Sequence, residues 1–132
     1  MKGKRAVRIF FMLLIAASAL MLVQTQCRHD GLNVADLDKV CYQTQIGPLF
    51  RNSCGTTGCH DSQEAAADYS FTDYTGVMKA ITPSNAQKSK AYQAITGKGF
   101  VQLMPPSGAL SEKERILIRV WIDQGAVQTI CN

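Results

Sequence analysis

The clearest periodic pattern of apolar residues lies near the end of the chain. Its apolar stripe consists of Leu117, Ile118, Trp121 and Ile122, which recur at the spacing of one helix face. The preceding Ser111-Glu-Lys-Glu114 has the form of a capping box, in which each side chain pairs with a backbone N–H of the other. Gly125 is well placed as a left-handed terminator. The pattern predicts an amphipathic helix between Ser111 and Gly125.

Weaker helical patterns precede it at about 42–52, 73–81 and 85–96. In the first, Ile46, Leu49 and Phe50 share a face, and Pro48 either kinks the helix or stands in the first turn of a helix that starts later. Residues 97–110 are punctuated by glycine and proline and predict an irregular loop. Because no segment alternates as a strand does, we expect a mostly α domain with long ordered loops.

The start of the chain has a different pattern. Four basic residues at positions 2–8 precede an apolar run at 9–23, which is typical of a secretory signal. The run is short for a membrane span, so a retained anchor is the second choice. Residues 28–40 are polar and predict a flexible tether. We therefore divide the chain into a signal peptide at 1–26, a tether at 27–40 and a domain at 41–132.

The net positive charge of the chain lies in the predicted signal peptide. The chain has 14 Lys and Arg against 10 Asp and Glu, a formal net charge of +4. The four basic residues of the signal account for that excess, so the remaining part is formally neutral. It also has no basic cluster interleaved with aromatic residues, and we therefore set nucleic-acid binding aside.

The segment Cys54-Gly-Thr-Thr-Gly-Cys59-His60 carries the residue types that attach a c-type haem. Two thiols reach the vinyl groups on one porphyrin edge, and the adjacent imidazole comes up under the iron. Four residues separate the cysteines where the usual motif has two, and Gly55 and Gly58 permit the bulge that this requires. Two alternatives stay open: a short Cys54–Cys59 disulfide, and part of a zinc site, although structural zinc uses four protein ligands.

Met104 is the candidate for the second axial ligand. It stands before Pro105 and Pro106 in a loop that the two prolines stiffen. A thioether sulphur suits the axial position opposite an imidazole in an electron-transfer cytochrome. The alternative for any methionine is filling a gap in the core. We favour core packing for Met78, which lies in a predicted helix, and ligation for Met104.

Four pieces in this order give residues 46–125 a resemblance to a small bacterial class I cytochrome c domain. They are Ile46-Gly-Pro-Leu-Phe50, Cys54…Cys59-His60-Asp61, Met104-Pro-Pro-Ser-Gly108 and Trp121-Ile-Asp-Gln-Gly-Ala126. The resemblance implies a mostly α, class I cytochrome c-like fold in which the first and last helices cross around one covalent haem c. One edge of that haem would be exposed. The four-residue gap is a minority variant of the family's attachment site.

Residue roles follow from the same resemblance. It implies that Cys54 and Cys59 hold the haem, that His60 is the proximal iron ligand and that Met104 is the distal one. It also places Phe50 and Trp121 at the helix crossing, although both could equally be ordinary core aromatics.

The other three cysteines are Cys27, Cys41 and Cys131. If the first and last helices cross, the segments carrying Cys41 and Cys131 come together, and we expect a disulfide between them. Its connectivity cannot be read from sequence alone. Cys27 follows the apolar run, where a bacterial lipoprotein carries its acylated cysteine, and we expect a lipid there. The alternative is cleavage near 17–19, which gives a soluble protein with a spare thiol.

The resulting interpretation is a mono-haem c-type cytochrome outside the cytoplasm, an electron carrier and not an enzyme. An iron held on both sides has no open site for substrate. We expect periplasmic or cell-envelope location, a lipid anchor in a membrane, and redox protein partners whose identity the sequence does not give. The chain acts alone or within a larger respiratory assembly. Two other functions stay open: a five-coordinate haem protein with peroxidase-like or gas-binding activity, and a haem-free, disulfide-stabilised lipoprotein or binding module.

Overall fold

The computed structural model describes residues 3, 4, 7, 12, 33–99 and 101–131. The chain divides into two compact units, Met1–Gly31 and Leu32–Asn132, and the second carries all the features below. Cys27, with its expected lipid, and most of the expected signal lie outside the described residues. No helix among the described residues has both the length and the apolar character needed to cross a membrane.

The second unit is built from helices, and its described residues contain no strand. The α-helices are α1 (Gly47–Ser53), α2 (Tyr74–Met78), α3 (Lys90–Thr96) and α4 (Glu112–Asp123), and a π-helical turn, Tyr42–Ile46, runs directly into α1. Short 3₁₀ turns lie at Val34–Asp36, Ala66–Asp68 and Ala86–Lys88. The prediction of a mostly α domain is therefore confirmed.

The entry into α1 shows how Pro48 shapes the first helix. Pro48 has no N–H, so it cannot make the hydrogen bond to the carbonyl four residues earlier. The turn before it is wider than an α-helix: the Ile46 N–H donates to the Cys41 carbonyl at 3.2 Å, five residues back. Pro48 then lies in the first turn of α1, one of the two positions that the sequence allows.

Helix α4 has the bounds and the capping box that the sequence predicts. The Ser111 Oγ accepts from the Glu114 N–H at 3.3 Å, and the Glu114 carboxylate accepts from the Ser111 N–H at 2.8 Å. Gly125 follows the helix with a φ of 99°, a left-handed conformation that glycine adopts without a Cβ penalty. The start of this helix is therefore fixed by its own local sequence.

The core is centred on the buried stripe of α4 and the apolar face of the first helix, which is the π-helical turn Tyr42–Ile46 together with α1. Its most deeply buried large side chains are Trp121, Phe50, Ile46, Ile118, Ile122 and Val77. The ring centroids of Phe50 and Trp121 lie 6.4 Å apart, and those of Tyr42 and Trp121 lie 5.6 Å apart. The indole N–H of Trp121 donates to the Val127 carbonyl at 3.1 Å. Phe50 and Trp121 thus pack together, and α4 lies against the first helix.

The two ends of the domain are joined beside this core. Cys41 and Cys131 form a disulfide across 90 residues, so the predicted pairing is confirmed. Thr129 adds a hydrogen bond, because its hydroxyl accepts from the Tyr42 N–H at 2.9 Å. The Gln124 amide donates to the Asp38 carbonyl at 3.0 Å. The last residues of the segment predicted to be a flexible tether therefore belong to the folded unit.

The segment predicted as one helix over 85–96 is divided at Ser89. Ser89 is 0 % exposed, and its backbone is extended, with φ of −75° and ψ of 120°. Its hydroxyl accepts from the Thr82 N–H at 2.9 Å and lies within hydrogen-bond distance of the Thr82 and Asn85 carbonyls, at 3.2 and 3.0 Å. The Ser89 side chain thus pairs with backbone groups of the Thr82–Asn85 turn. If the helix were continuous through Ser89, these groups would have no such partner.

We expect Ser89→Ala to lower the free energy of unfolding by about 1–3 kcal/mol, because the buried hydroxyl of Ser89 is lost and the Thr82 N–H, in a part-buried hydrogen bond, would lose its acceptor. Urea denaturation followed by far-ultraviolet circular dichroism measures the change. Ser107→Ala is the control, since Ser107 is exposed and its removal should leave the unfolding midpoint in place. Equal midpoints for both variants would contradict the role given to the Ser89 hydroxyl.

Candidate functional site

The loop from Cys54 to His60 closes on itself through backbone hydrogen bonds. Cys54 ends α1, its N–H donating to the Phe50 carbonyl at 2.9 Å. The His60 N–H returns to the Cys54 carbonyl at 3.2 Å, and the Cys59 N–H donates to the Thr56 carbonyl at 3.0 Å. The four residues between the cysteines therefore form a compact turn, and both cysteines and the histidine are held in one loop.

Two glycines permit this turn, as the sequence predicts. Gly58 has a φ of 79°, the conformation required at the third position of a type II turn. Gly55 is needed for a different reason, because a Cβ there would lie 3.0 Å from the carbonyl oxygen of Phe71. The loop at residues 54–60, called the attachment loop below after its predicted role, thus lies against the Phe71 backbone on one side.

The two thiols of the attachment loop are free and differ in exposure. Cys54 is half-buried and Cys59 is exposed, and neither forms a disulfide. Burial, and secondarily the neighbouring Cys59, raise the pKa of the Cys54 thiol to about 11. The alternative of a short Cys54–Cys59 disulfide is therefore not the arrangement that this fold adopts.

The His60 imidazole is oriented by one hydrogen bond and one ring contact. Its Nδ1 lies 3.0 Å from the Tyr69 carbonyl oxygen, and since a carbonyl only accepts, Nδ1 carries the proton. The Phe71 ring lies beside the imidazole, with centroids 4.8 Å apart. In the neutral imidazole this leaves Nε2 as the nitrogen with a free lone pair, which is the atom that can bind a metal ion.

Aromatic contacts connect the imidazole to the core. Phe71 packs against Phe50 with centroids 5.4 Å apart, and Phe50 packs in turn against Trp121. The Phe71 N–H also donates to the His60 carbonyl at 2.8 Å. The position of His60 is thus fixed by the same side chains that pack the first helix against α4.

Asp61 is buried directly after His60, and its carboxylate accepts backbone N–H groups from three residues. Oδ1 accepts from Glu64 at 2.7 Å and from Gln63 at 2.9 Å, and Oδ2 accepts from Gly58 at 3.2 Å. The hydrogen bond from Glu64 is the main cause of a lowered pKa for this carboxyl, with those from Gln63 and Gly58 adding to it. The carboxylate is therefore the ionised, acceptor-only form.

Met104 lies in a separate loop, after α3. It is half-buried, and its N–H donates to the Ala94 carbonyl at 3.0 Å, which fixes the loop to the end of α3. Met78, for which core packing is predicted, packs against the buried cluster. Among the described residues no hydrogen bond joins the Met104 loop to the attachment loop. The structure therefore places Met104 on an anchored loop and does not by itself pair it with His60.

The zinc alternative lacks ligands in the part of the chain that the structure describes. Those residues contain no group of three or more His, Cys, Asp or Glu placed to hold a metal ion.

Two grooves lie on the surface of the domain. One, of about 410 Å³, opens beside the first helix, with Arg51 and Asp73 in its lining, and the other, of about 510 Å³, lies beside Gln124. The attachment residues line neither groove.

The donor set of the loop fits haem c. It offers two unbonded thiols in one loop and, directly after the second, an imidazole whose Nδ1 is engaged and whose Nε2 is available. Three groups that support the loop and its imidazole were not predicted from the sequence: the Asp61 carboxylate, the Tyr69 carbonyl and the Phe71 ring. Of these only Asp61 had a local pattern, because an aspartate commonly accepts from N–H groups two and three residues ahead.

In the folded protein without haem, we expect iodoacetamide at pH 8 to modify Cys59 well before Cys54. Alkylation needs an accessible thiolate, and Cys54 is half-buried with a pKa near 11, whereas Cys59 is exposed. Peptide mass spectrometry over a time course measures both rates, with denatured chain as the control in which they converge. Equal rates in the folded chain would contradict this difference in environment.

The family described as Planctomycete cytochrome C matches residues 57–108, which is less than half of the chain. The matched stretch contains Cys59, His60 and Met104, and it begins after Cys54. No curated protein and no solved structure is significantly similar to this chain. The match supports a cytochrome c-like domain and, with it, a role in haem binding and electron transfer.

Proposed function

We propose that this chain is a mono-haem c-type cytochrome that transfers single electrons between redox proteins outside the cytoplasm. The observation that carries the proposal is the arrangement at 54–60: two unbonded thiols and an adjacent imidazole whose Nδ1 is held by the Tyr69 carbonyl. A histidine ligand of a metal is commonly oriented by such a hydrogen bond from its other ring nitrogen. The family match over 57–108 agrees with this use of the loop.

In this proposal the chain holds one haem c with four side chains. Cys54 and Cys59 form the two thioether bonds, His60 Nε2 is the proximal ligand and the Met104 sulphur is the distal one. The haem supplies a one-electron iron couple. The packing of Phe50 on Trp121 agrees with a class I arrangement, in which the first and last helices cross near the haem.

The choice of an electron carrier over an enzyme follows from coordination. If the His60 nitrogen and the Met104 sulphur both bind the iron, they would leave no position for oxygen or a substrate, and a Met/His pair would raise the reduction potential. The Met104 loop is anchored at Ala94 and stiffened by two prolines, so the backbone that carries the Met104 side chain is restrained, which supports its proposed role as a ligand. A five-coordinate haem with peroxidase-like chemistry would require that loop to stay away from the iron.

The location and partners belong to the same proposal. The basic, then apolar, start of the chain supports export, and a lipid on Cys27 would hold the domain at a membrane of the cell envelope. Since the part after the signal is formally neutral, its partners are not selected by a strong net charge. We expect a weak, small interface with a donor and an acceptor, of the kind typical of redox proteins.

The test is to produce the full chain in a bacterium with a haem-ligation system and to measure its intact mass. One added haem is expected, together with retention of haem on a denaturing gel and an oxidised-state absorption band from methionine–iron ligation. Met104→Ala should keep the haem and lose that band, whereas Met78→Ala should keep both. A colourless natural chain would overturn the proposal, and an unchanged band in Met104→Ala would overturn the assignment of the distal ligand.

A further inference from the structure

The buried carboxylate of Asp61 spans both sides of His60. It is 8 % exposed, and its two oxygens face different segments. Oδ1 accepts from Gln63 and Glu64, which follow the histidine, whereas Oδ2 accepts from Gly58, inside the gap between the cysteines. The bonds to Gln63 and Glu64 are those of an ordinary aspartate turn, but the bond to Gly58 is not part of such a turn.

The bond to Gly58 acts where the loop departs from the usual spacing. Four residues separate the cysteines, and the left-handed Gly58 directly precedes Cys59. A longer gap has more conformations, and ordering each added residue costs conformational entropy. The hydrogen bond from the Gly58 N–H to Asp61 Oδ2 restricts that freedom at the residue before Cys59, where the backbone decides the direction of the second thiol.

We propose that Asp61 is a positioning residue for haem attachment, whose Oδ2 bond to the Gly58 N–H holds the four-residue gap in the turn that presents Cys54 and Cys59 together. This rests on the proposed function, since it assumes that the loop receives haem. In the described part of the chain, the hydrogen-bond partners of this carboxylate are the backbone N–H groups of Gly58, Gln63 and Glu64, not either thiol. It acts through the backbone of the attachment loop.

Asp61→Asn separates this role from the ordinary turn. An asparagine keeps one carbonyl oxygen, which can still accept from Gln63 and Glu64. Its amide group, placed towards Gly58, presents N–H donors to another donor, so the bond across the gap is lost. Asp73→Ala is the matched control, because Asp73 also accepts a backbone N–H, from Gly76 at 2.8 Å, but at the start of α2.

A second comparison uses the length of the gap. Deleting Thr56 and Thr57 gives the usual two-residue spacing, which needs no restraint on a longer bulge. We expect Asp61→Asn to reduce haem loading in the natural loop and to have little effect in the shortened one. A residue that merely stabilised the domain would lower loading equally in both loops, so this coupling is specific to positioning.

The experiment measures the haem-loaded fraction of the full chain by intact mass, after production with a haem-ligation system. We expect a loss of roughly two- to tenfold in Asp61→Asn, the range for one lost hydrogen bond, and near-natural loading in Asp73→Ala. In reduced, loaded Asp61→Asn the Gly58 amide should exchange with solvent faster, while those of Gln63 and Glu64 stay protected.

The outcomes are distinguishable. Natural loading in Asp61→Asn, or an equal loss in Asp73→Ala, overturns the positioning role while the coloured natural chain upholds the proposed function. An equal loss in the natural and shortened loops also overturns it. A natural chain that takes up no haem overturns the proposed function, and this inference with it.

Discussion

The double variant Cys54→Ala, Cys59→Ala is expected to carry no covalent haem at all. The two thioether bonds are the only covalent links that the proposed site offers, so any haem left on His60 and Met104 would be lost on denaturation. The expected result is no haem stain on a denaturing gel and an intact mass equal to that of the polypeptide alone. Each single variant keeps one thiol and should give a reduced haem-bearing fraction.

The matched control for this prediction is Thr56→Ala, Thr57→Ala. It changes two exposed side chains in the same loop and leaves both thiols and the backbone bonds in place, so it should stain like the natural chain. If the double cysteine variant still carried haem through denaturation, another residue would have to be the attachment point. If the threonine control also lost its haem, the result would reflect loop disruption rather than the loss of the thiols.

The bounds of helix α4 are determined by its local sequence. Its bounds follow from a capping box at Ser111, an apolar stripe through Trp121 and a glycine after the last turn, all within 15 residues of one another in the printed sequence. Interactions of this kind need no information about the rest of the chain. The thiol–imidazole loop is equally local, because the two cysteines and His60 lie within seven residues.

The features that sequence reasoning missed depend on contacts that local patterns do not contain. The helix expected over 85–96 is divided because the Ser89 hydroxyl bonds to Thr82, seven residues earlier. The orientation of His60 depends on the backbone carbonyl of Tyr69. Because every residue has a backbone carbonyl, the sequence does not indicate which one the imidazole contacts. The pairing of Cys41 with Cys131 could be inferred only through a resemblance that implies the fold, since cysteine spacing leaves connectivity open.

That disulfide leads to the second large expected effect. Cys41→Ala, Cys131→Ala should lower the free energy of unfolding by about 4–5 kcal/mol, because the unfolded chain regains the freedom of a loop that spans 90 residues. Guanidinium denaturation of the haem-loaded chain, followed by far-ultraviolet circular dichroism, measures this. The midpoint should fall by about 1–2 M for the slopes typical of a small domain.

The denaturant dependence of the free energy of unfolding, together with the single cysteine variants, shows whether the loss of stability comes from the missing disulfide or from lost packing. An unlinked chain exposes more surface when it unfolds, so the denaturant dependence should become steeper, whereas loss of packing at buried Cys41 would move the midpoint alone. Cys41→Ala and Cys131→Ala should each cost nearly as much as the double variant, because either one removes the same bond. Additive single effects with an unchanged slope would mean that the two cysteines stabilise the domain separately, through their own packing. In that case the link between the ends of the chain would contribute little to the free energy of unfolding.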